Sequence, residues 1–142
     1  MPLSSNKSKE SAEAFVALQR LAGLFLEQLS ELLAPHNITP QQFNVLRILR
    51  GAGEDGLACA EISKRMITKD SDITRLLDRL EKLKFVSRKR LNTDRRVILT
   101  RISDQGLVLL KQLDQPVLAL HRKQFQKLSN LDKFVAELTV LA

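Results

Sequence analysis

Residues 71–102, SDITRLLDRLEKLKFVSRKRLNTDRRVILTRI, change their hydrophobic period part-way along. Up to residue 83 the apolar side chains recur at steps of three and four, which predicts an amphipathic helix over 71–83. Residues 86–91 and 97–102 are instead β-branched or alternating runs, and the polar segment between them favours a turn. The stretch therefore predicts a helix followed directly by a two-stranded β-hairpin.

The predicted helix has two faces of different character. Ile73, Leu76, Leu77, Leu80 and Leu83 form an apolar stripe. A second face is cationic, because Arg75, Arg79 and Lys82 follow one another at i, i+4 and i+7. Asp78 can pair with the lysine one turn later, yet this second stripe stays net positive.

The positive charge of the chain is concentrated in the same region. Between Glu61 and Arg101 there are thirteen Lys and Arg residues against six Asp and Glu, and the rest of the chain has ten of each. This window therefore carries the whole net charge of +7. A basic surface on an otherwise neutral scaffold is typical of a protein that binds a polyanion. The alternative is a solvated face that stays charged for solubility.

The segments before this stretch predict two further helices. Thr39, Pro40 and Gln42 have the spacing of a capping box with proline in the first turn, and they predict a helix that ends at the glycines of GAGEDG (51–56). GAGEDG matches the G-x-G-x-x-G spacing, but a helix precedes it and its two acids repel phosphate. It is therefore predicted to be a loop rather than a nucleotide site, and a short helix over 60–66 follows it.

Taken in order, these segments resemble the MarR family of transcription regulators over most of the chain. ITPQQFNVLRIL (38–49) is similar to the family's Leu-Thr-x-x-Gln-x-x-x-Leu segment, and ITRLLDRLEKLKFVSR (73–88) to its recognition helix and first wing strand. DRR (94–96) and RISDQG (101–106) resemble the wing tip and the start of the next helix. Order and spacing together make the resemblance specific.

The resemblance implies a mainly α fold with a small β-hairpin wing. One domain would span residues 1–142, with a winged helix-turn-helix DNA-binding lobe over 38–102 and dimerisation helices over 10–34 and 103–142. An extended core within one chain is the alternative, but two-fold association would also place two recognition helices about 34 Å apart, one turn of DNA. The residues assigned to dimerisation are Leu18, Leu21, Phe25, Leu131, Phe134, Val135 and Leu138.

Three positions depart from the family pattern. Lys84 stands where the family usually has glycine, so a positive φ there would cost about 1 kcal/mol. Ala58 replaces a Ser or Thr cap before the short helix, which predicts a less firmly started helix. Asp72 replaces a common Thr at the front of the recognition helix, where it can accept from cytosine but repels nearby phosphates.

The helix over 71–83 is expected to enter the major groove of DNA by its N-terminal end, where an arginine can discriminate guanine. The alternative is that Arg75 and Arg79 only pair with neighbouring acids on a solvated face. The residues expected near bases or phosphates are Ser71, Asp72, Thr74, Arg75 and Arg79.

For the hairpin, the resemblance implies a wing whose tip arginine enters a minor groove, where a narrow groove has an enhanced negative potential. Asp94 would brace an arginine such as Arg88 or Arg96. Either Arg95 or Arg96 makes the insertion, and the sequence leaves that choice open. The wing residues assigned to DNA binding are Arg88, Asn92, Thr93, Asp94, Arg95 and Arg96.

Outside these regions the sequence predicts little further chemistry. Cys59 is the one cysteine, and a small residue at a helix start is favoured over an oxidant sensor. His36 and His121 lack partners at ligand spacing, so no metal, no other cofactor and no enzyme is expected. No apolar run is long enough for a membrane span and no signal peptide is expected, which together with the lone cysteine predicts a cytoplasmic protein.

The sequence thus predicts a bacterial homodimeric repressor that binds a palindromic operator in double-stranded DNA. The resemblance implies that a small, often aromatic or phenolic, effector binds between the DNA-binding lobe and the dimer helices, and the sequence assigns it no binding residues. Two alternatives stay open. One is a winged-helix protein-interaction module whose basic window faces an acidic partner, and the other is a sequence-neutral binder of DNA or RNA.

Overall fold

The computed structural model describes residues 5–69 and 72–142. Within them the chain is mainly helical with one small antiparallel sheet, which confirms the predicted fold class. The elements, in chain order, are α1 Ser5–Leu33, α2 Pro40–Ala52, β1 Leu57–Ala58, α3 Cys59–Arg65, α4 Ile73–Lys82, β2 Val86–Arg90, β3 Ile98–Ile102, α5 Asp104–Phe125 and α6 Leu131–Leu141.

The core lies where α2, α3, α4 and α5 meet the end of α1. Leu46, Ile62, Leu80 and Leu110 each come from one of those four helices, and all are fully buried together with Leu33 of α1. In α4 the buried residues belong to the predicted apolar stripe, so the helix packs with that stripe inward. Its charged residues therefore face away from the core.

Side-chain caps fix where the helices begin. The Thr39 hydroxyl accepts from the N–H of Gln42 at 3.2 Å, and the Gln42 side chain accepts from the N–H of Thr39 at 2.9 Å, which confirms the predicted capping box. Ser103 caps α5 and Asn130 caps α6 by a single bond each, since each side chain accepts from the N–H three residues later. Ala58 gives α3 no side-chain cap, as its departure from the family pattern predicts.

The hairpin is confirmed, but the sheet has a third strand. β1 pairs antiparallel with β3, so the strand order is β1-β3-β2 and the buried Thr100 lies at the centre. The two-stranded prediction misses β1 because two residues show no period. Gly56 permits this pairing, since it has φ 70° and a β-carbon there would lie 2.6 Å from the carbonyl oxygen of Thr100.

The junction between α4 and β2 is a left-handed turn built on a lysine. Lys84 has φ 64°, and its N–H donates to the carbonyl of Glu81 at 2.9 Å. The N–H of Phe85 donates to the carbonyl of Leu80 at 3.0 Å, which completes a Schellman motif. Lysine therefore occupies a conformation that favours glycine, so the cost stated for a positive φ at this position applies.

Ser103 joins this turn to the start of α5. Its hydroxyl donates to the carbonyl of Lys84 at 2.6 Å and accepts from the N–H of Gly106 at 3.0 Å. A β-carbon at Gly106 would clash with the carbonyl of Phe85, so only glycine fits there. The end of the recognition helix and the beginning of α5 are thus fixed to each other.

Two helix boundaries differ from the predictions. α1 begins at Ser5 rather than at residue 10, because residues 5–9 are polar but contain no Gly or Pro, and the Ser11 hydroxyl donates to the carbonyl of Lys7 at 2.8 Å. α4 begins at Ile73 rather than at 71, because the Asp72 side chain caps it by accepting from the N–H of Arg75 at 3.1 Å. Ser71, assigned to DNA binding, lies outside the described residues.

Candidate nucleic-acid interface

The cations of α4 form a row on its solvent side, named here the cation row: Arg75, Arg79 and Lys82. All three are exposed. Within residues 5–69 and 72–142 none of them makes an ion pair with a carboxylate, since the acids of the same helix are bound elsewhere. The alternative in which Arg75 and Arg79 only pair with neighbouring acids is therefore not what the described residues show.

A cleft of about 380 Å³ opens between the cation row and the start of α2. Arg75 and Arg79 line one side of it, and Thr39 and Gln41 line the other. Asp72 also lines the cleft, with one carboxylate oxygen on the N–H of Arg75. The predicted residue Thr74 is exposed on the same helix. The recognition-helix residues that the structure describes thus lie on its accessible surface.

Arg88 connects the wing (residues 86–102) to α4. Its Nη2 lies 2.5 Å from Asp78 Oδ1 and 3.0 Å from Glu81 Oε1, and its Nε lies 3.2 Å from Glu81 Oε2. Its side chain is only 22% exposed. We name these three residues the clamp. Arg88 was expected to contact DNA from the wing, but its guanidinium is bound to two carboxylates of α4.

The pKa values of the clamp follow from these contacts. Hydrogen bonding from Arg88 lowers the pKa of the Glu81 carboxyl below its ordinary value, against a smaller opposing effect of burial. Hydrogen bonding to Glu81 raises the pKa of Arg88, and Asp78 adds to the rise. Both shifts favour the charged forms, so the ion pair persists across the neutral range.

The wing tip is held by its own hydrogen bonds. The Asp94 carboxylate accepts from the N–H of Arg96 at 3.0 Å and from its Nε at 3.3 Å. Val97 donates to the carbonyl of Asp94 at 3.0 Å, which closes the turn. Arg90 donates to the carbonyl of Arg95 at 2.9 Å. Asp94 therefore braces Arg96 and not Arg88, of the two partners predicted for it.

The side chains of the tip project into solvent. Arg96 is 93% exposed even with its contact to Asp94. Arg95, Asn92 and Thr93 are exposed as well. The backbone of the tip is thus fixed while its cationic ends stay accessible, which suits insertion into a groove.

The residues assigned to dimerisation lie on α1 and α6, far along the chain from the wing. Two of them, Phe25 and Phe134, are half-buried because their rings contact Phe125, at centroid distances of 5.1 and 6.2 Å. The others are exposed apolar side chains: Leu18, Leu21, Leu131, Val135 and Leu138.

Residues 38–98 match the model of the MarR family. A crystal structure of a MarR transcription factor from Planctomyces limnophilus is 34% identical to this chain with a TM-score of 0.74, and the match covers 92% of this chain and 96% of that one. The chain belongs to the MarR family.

Two further relatives bear on what MarR proteins do. A mutant MarR from E. coli, solved in complex with operator DNA, is 28% identical with a TM-score of 0.78 and covers 93% of this chain and 92% of its own. The HTH-type transcriptional repressor MdtR of Bacillus subtilis (strain 168) is 32% identical over 98 residues, which are 69% of this chain and 62% of MdtR. MarR transcription regulators bind DNA and are not enzymes.

Three residues that make contacts at the candidate interface are missing from the sequence predictions. Asp78 and Glu81 are predicted only as acids beside the cation row, and Arg90 only as part of a strand. The partner of both acids is Arg88, which lies ten residues after Asp78 and seven after Glu81, on the strand that follows the helix. The one signal is the i, i+3 spacing of the two acids, which places them on one edge of the helix.

The remaining candidate residues have simple surroundings. Cys59 is half-buried at the first position of α3, and its role as a sensor or a filler stays a prediction. His121 Nδ1 lies 2.9 Å from Gln124 Oε1. In the described ranges no cluster of three or more His, Cys, Asp or Glu could hold a metal. A helix long and apolar enough to span a membrane is likewise missing from those ranges.

Proposed function

We propose that this MarR protein is a homodimeric repressor that binds a palindromic operator. In each protomer the N-terminal end of α4 enters a major groove and the wing enters the adjacent minor groove. The observation that carries the proposal is the cation row, which no carboxylate of the described residues neutralises, beside a cationic wing whose tip is fixed by hydrogen bonds.

The cation row supplies both affinity and specificity. An arginine that donates two hydrogen bonds to guanine discriminates by about 1–3 kcal/mol, and Arg75 lies nearest the end of α4 that would enter the groove. Contacts to phosphate by Arg79 and Lys82 would position the helix without selecting a base. Asp72 at the helix start is better suited to contact a base edge than a phosphate, because its negative charge repels the phosphates of the DNA backbone.

For the wing we keep both tip arginines as candidates. Arg96 is oriented by Asp94, while the carbonyl of Arg95 is held by Arg90 and its side chain is exposed. A guanidinium in a narrow minor groove meets the enhanced negative potential there. Arg95→Ala and Arg96→Ala, made separately, identify the inserting residue as the one whose loss weakens operator binding more and lowers the salt slope by about one.

We infer dimerisation from the apolar faces of α1 and α6. Both outer helices expose leucines and valines at helical spacing. The single chain leaves these side chains uncovered, and a second copy would bury them. A two-fold axis there would also present two copies of α4 to successive turns of the duplex. The repressor role is supported by the name of the relative MdtR.

An effector is the last part of the proposal. A groove of about 670 Å³ between α1 and the C-terminal part of α5 is lined by apolar and polar side chains alike, among them Phe25, Leu120, Gln124 and Lys123. Its size is within the usual range for small ligands. A small aromatic or phenolic effector would release the operator only if it binds the DNA-incompetent spacing more tightly. Because a repressor binds its operator on the chromosome, we propose that the protein is cytoplasmic.

One titration tests the proposal against its alternatives. A palindromic duplex is selected from a random pool with the full chain, and its affinity is compared with that of a random duplex across salt concentrations. We expect a preference of about a thousandfold, as specific regulators show. A preference below about tenfold would favour the sequence-neutral binder. No binding to either duplex at low salt would favour the protein-interaction module.

A further inference from the structure

The two acids of α4 lie beside a surface that is otherwise built to attract DNA. At about 100° per residue, Asp78 and Glu81 share one edge of the helix, and the cation row occupies the neighbouring edge. Carboxylates in that place repel phosphate, so electrostatics alone gives no reason for them in a DNA-binding helix. Their contacts give one, because both reach across to Arg88 on β2.

We propose that the clamp sets the spacing between the recognition helix and the wing, and that Asp78 and Glu81 are therefore required for tight operator binding in spite of their charge. This inference rests on the proposed function. It assigns Arg88 as a positioning residue that acts through α4 and does not itself touch DNA.

The geometry of the clamp suits this role. Arg88 binds Glu81 with two nitrogens on two oxygens, an arrangement that fixes direction as well as distance. The second contact, to Asp78, is one helical turn away, so β2 is held against two points of α4. Two contact points restrict the rotation of the strand relative to the helix more than a single ion pair would, in addition to the turn at Lys84.

The clamp also continues to the tip. Two residues after Arg88 on the same strand, Arg90 holds the carbonyl of Arg95. The row of contacts therefore runs from α4 through β2 to the residue that precedes Arg96. A groove-reading helix and a groove-reading tip must match two grooves of one duplex at once, and an error of about 1 Å in their spacing is enough to weaken such contacts.

Charge separation is a second effect of the clamp. With both acids bound to Arg88, the nearest cations of α4 keep their full charge toward solvent. Without the clamp, Asp78 would be free to pair with Lys82, one turn further along the same helix. The clamp thus keeps a cation of the row available for DNA.

The test is the double variant Asp78→Asn/Glu81→Gln, because the two possible roles of these acids predict opposite signs. If they act only by charge, removing two negative charges tightens binding to every duplex. If they position the wing, we expect binding to the selected palindrome to weaken by about tenfold, within the range produced by coupling through an ion-pair network, while binding to a random duplex is unchanged or tighter.

The matched control is Glu61→Gln/Asp114→Asn. It also removes two carboxylates that hold arginines, one within α3 and one between α2 and α5, and neither contacts the wing. We expect it to keep the preference for the palindrome. Arg88→Met is expected to behave like the clamp variant and to leave the salt slope on random duplex unchanged, which a lost phosphate contact would lower by about one. Circular dichroism verifies that each variant is folded.

The outcomes are distinct. A clamp variant that binds the palindrome as tightly as the wild type, or more tightly, overturns the positioning role. An Arg88→Met protein with a lower salt slope shows that Arg88 contacts DNA and also overturns it. A wild-type chain without any preference for a palindrome refutes the proposed function and, with it, the inference.

Discussion

The winged lobe and the outer helices treat their apolar residues in opposite ways. In the lobe, Leu46, Leu49 and Leu80 are fully buried by neighbours from the same chain. On α1 and α6, Leu18 and Val135 keep 42% and 53% of their surface exposed. The core of the lobe is therefore covered within one chain, with α5 and the end of α1 closing it, whereas other faces of α1 and α6 suit a partner.

The polar contacts of the two regions differ in the same way. The lobe has ion pairs and hydrogen bonds that connect different elements, such as those of Arg88 and Ser103. Among the described residues, the side-chain hydrogen bonds of α6 are local: the N–H of Lys133 donates to Asn130 Oδ1 and the Thr139 hydroxyl donates to the carbonyl of Val135. α1 is instead joined to α5, because the Gln124 amide donates to the carbonyl of Phe25 and to Gln28 Oε1. The position of α6 therefore depends on what it packs against, whereas the lobe and α1 are held by hydrogen bonds between elements.

Charges placed on the outer helices should give the largest effect. In Leu18→Glu/Leu138→Glu, a homodimer would bury four added carboxylates, so we expect association to weaken by at least about a thousandfold, or about 4 kcal/mol. Sedimentation equilibrium measures the loss. Ile67→Glu, at an exposed apolar residue of the winged lobe, is the control. A wild-type chain that sediments as a monomer would contradict the dimer proposal.

Truncation of a core side chain tests the difference between the lobe and the outer helices by its effect on stability. Leu46→Ala removes a fully buried side chain and should lower the free energy of unfolding by about 3 kcal/mol, as for other buried leucines. Leu18→Ala should change the stability of a single protomer by less than about 0.5 kcal/mol. Urea unfolding at protein concentrations below the association range compares them, and equal losses would refute the division into two regions.

Lys84 tests a local strain within the lobe. Its φ of 64° favours glycine, so Lys84→Gly should stabilise the chain by about 1 kcal/mol in urea unfolding. Lys84→Ala removes the same charge and keeps the strain, and it should give no gain. If both variants stabilise equally, the charge and not the backbone conformation is responsible.

The clamp should give the smallest effect on stability, and it should depend on pH. Because Arg88 lowers the pKa of Glu81 in the folded chain, the stability from this contact is complete above the ordinary Glu value of about 4.3. It is lost as the pH falls through the lowered folded value. The difference in Tm between wild type and Glu81→Gln should thus be constant from pH 8 to 5 and shrink toward zero below about pH 4. A difference that grows in acid would contradict the sign of the shift.

Much of the lobe could be predicted because its signals are local. The capping box of Thr39 and Gln42 and the cap at Ser103 involve residues three apart, and the change of period after α4 is visible along the chain. β1 could not be predicted, since its two residues are a strand only because β3 lies beside them. Its nearest sequence signal is Gly56, whose need for a left-handed φ shows only in the structure.

The candidate site was predictable in its charges but not in their partners. Arg75 and Arg88 look alike in the sequence, as arginines in a basic window. One is exposed without an ion pair in the described residues, and the other holds two acids, because a strand turns back along the helix at Lys84. The turn at Lys84 decides which arginines reach a carboxylate, and the hydrophobic periodicity of the sequence does not predict the direction of that turn.

The hydroxyl of Ser103 joins the left-handed turn after α4 to the first turn of α5. α5 has 22 residues, so it is a rod of about 33 Å with one end fixed beside the DNA-binding surface. A tilt of about 5° around that end moves Phe125, at the other end, by about 3 Å. A rigid tilt of α5 would therefore link a small angular change near the wing to a displacement of the ring contacts that Phe125 makes with Phe25 and Phe134.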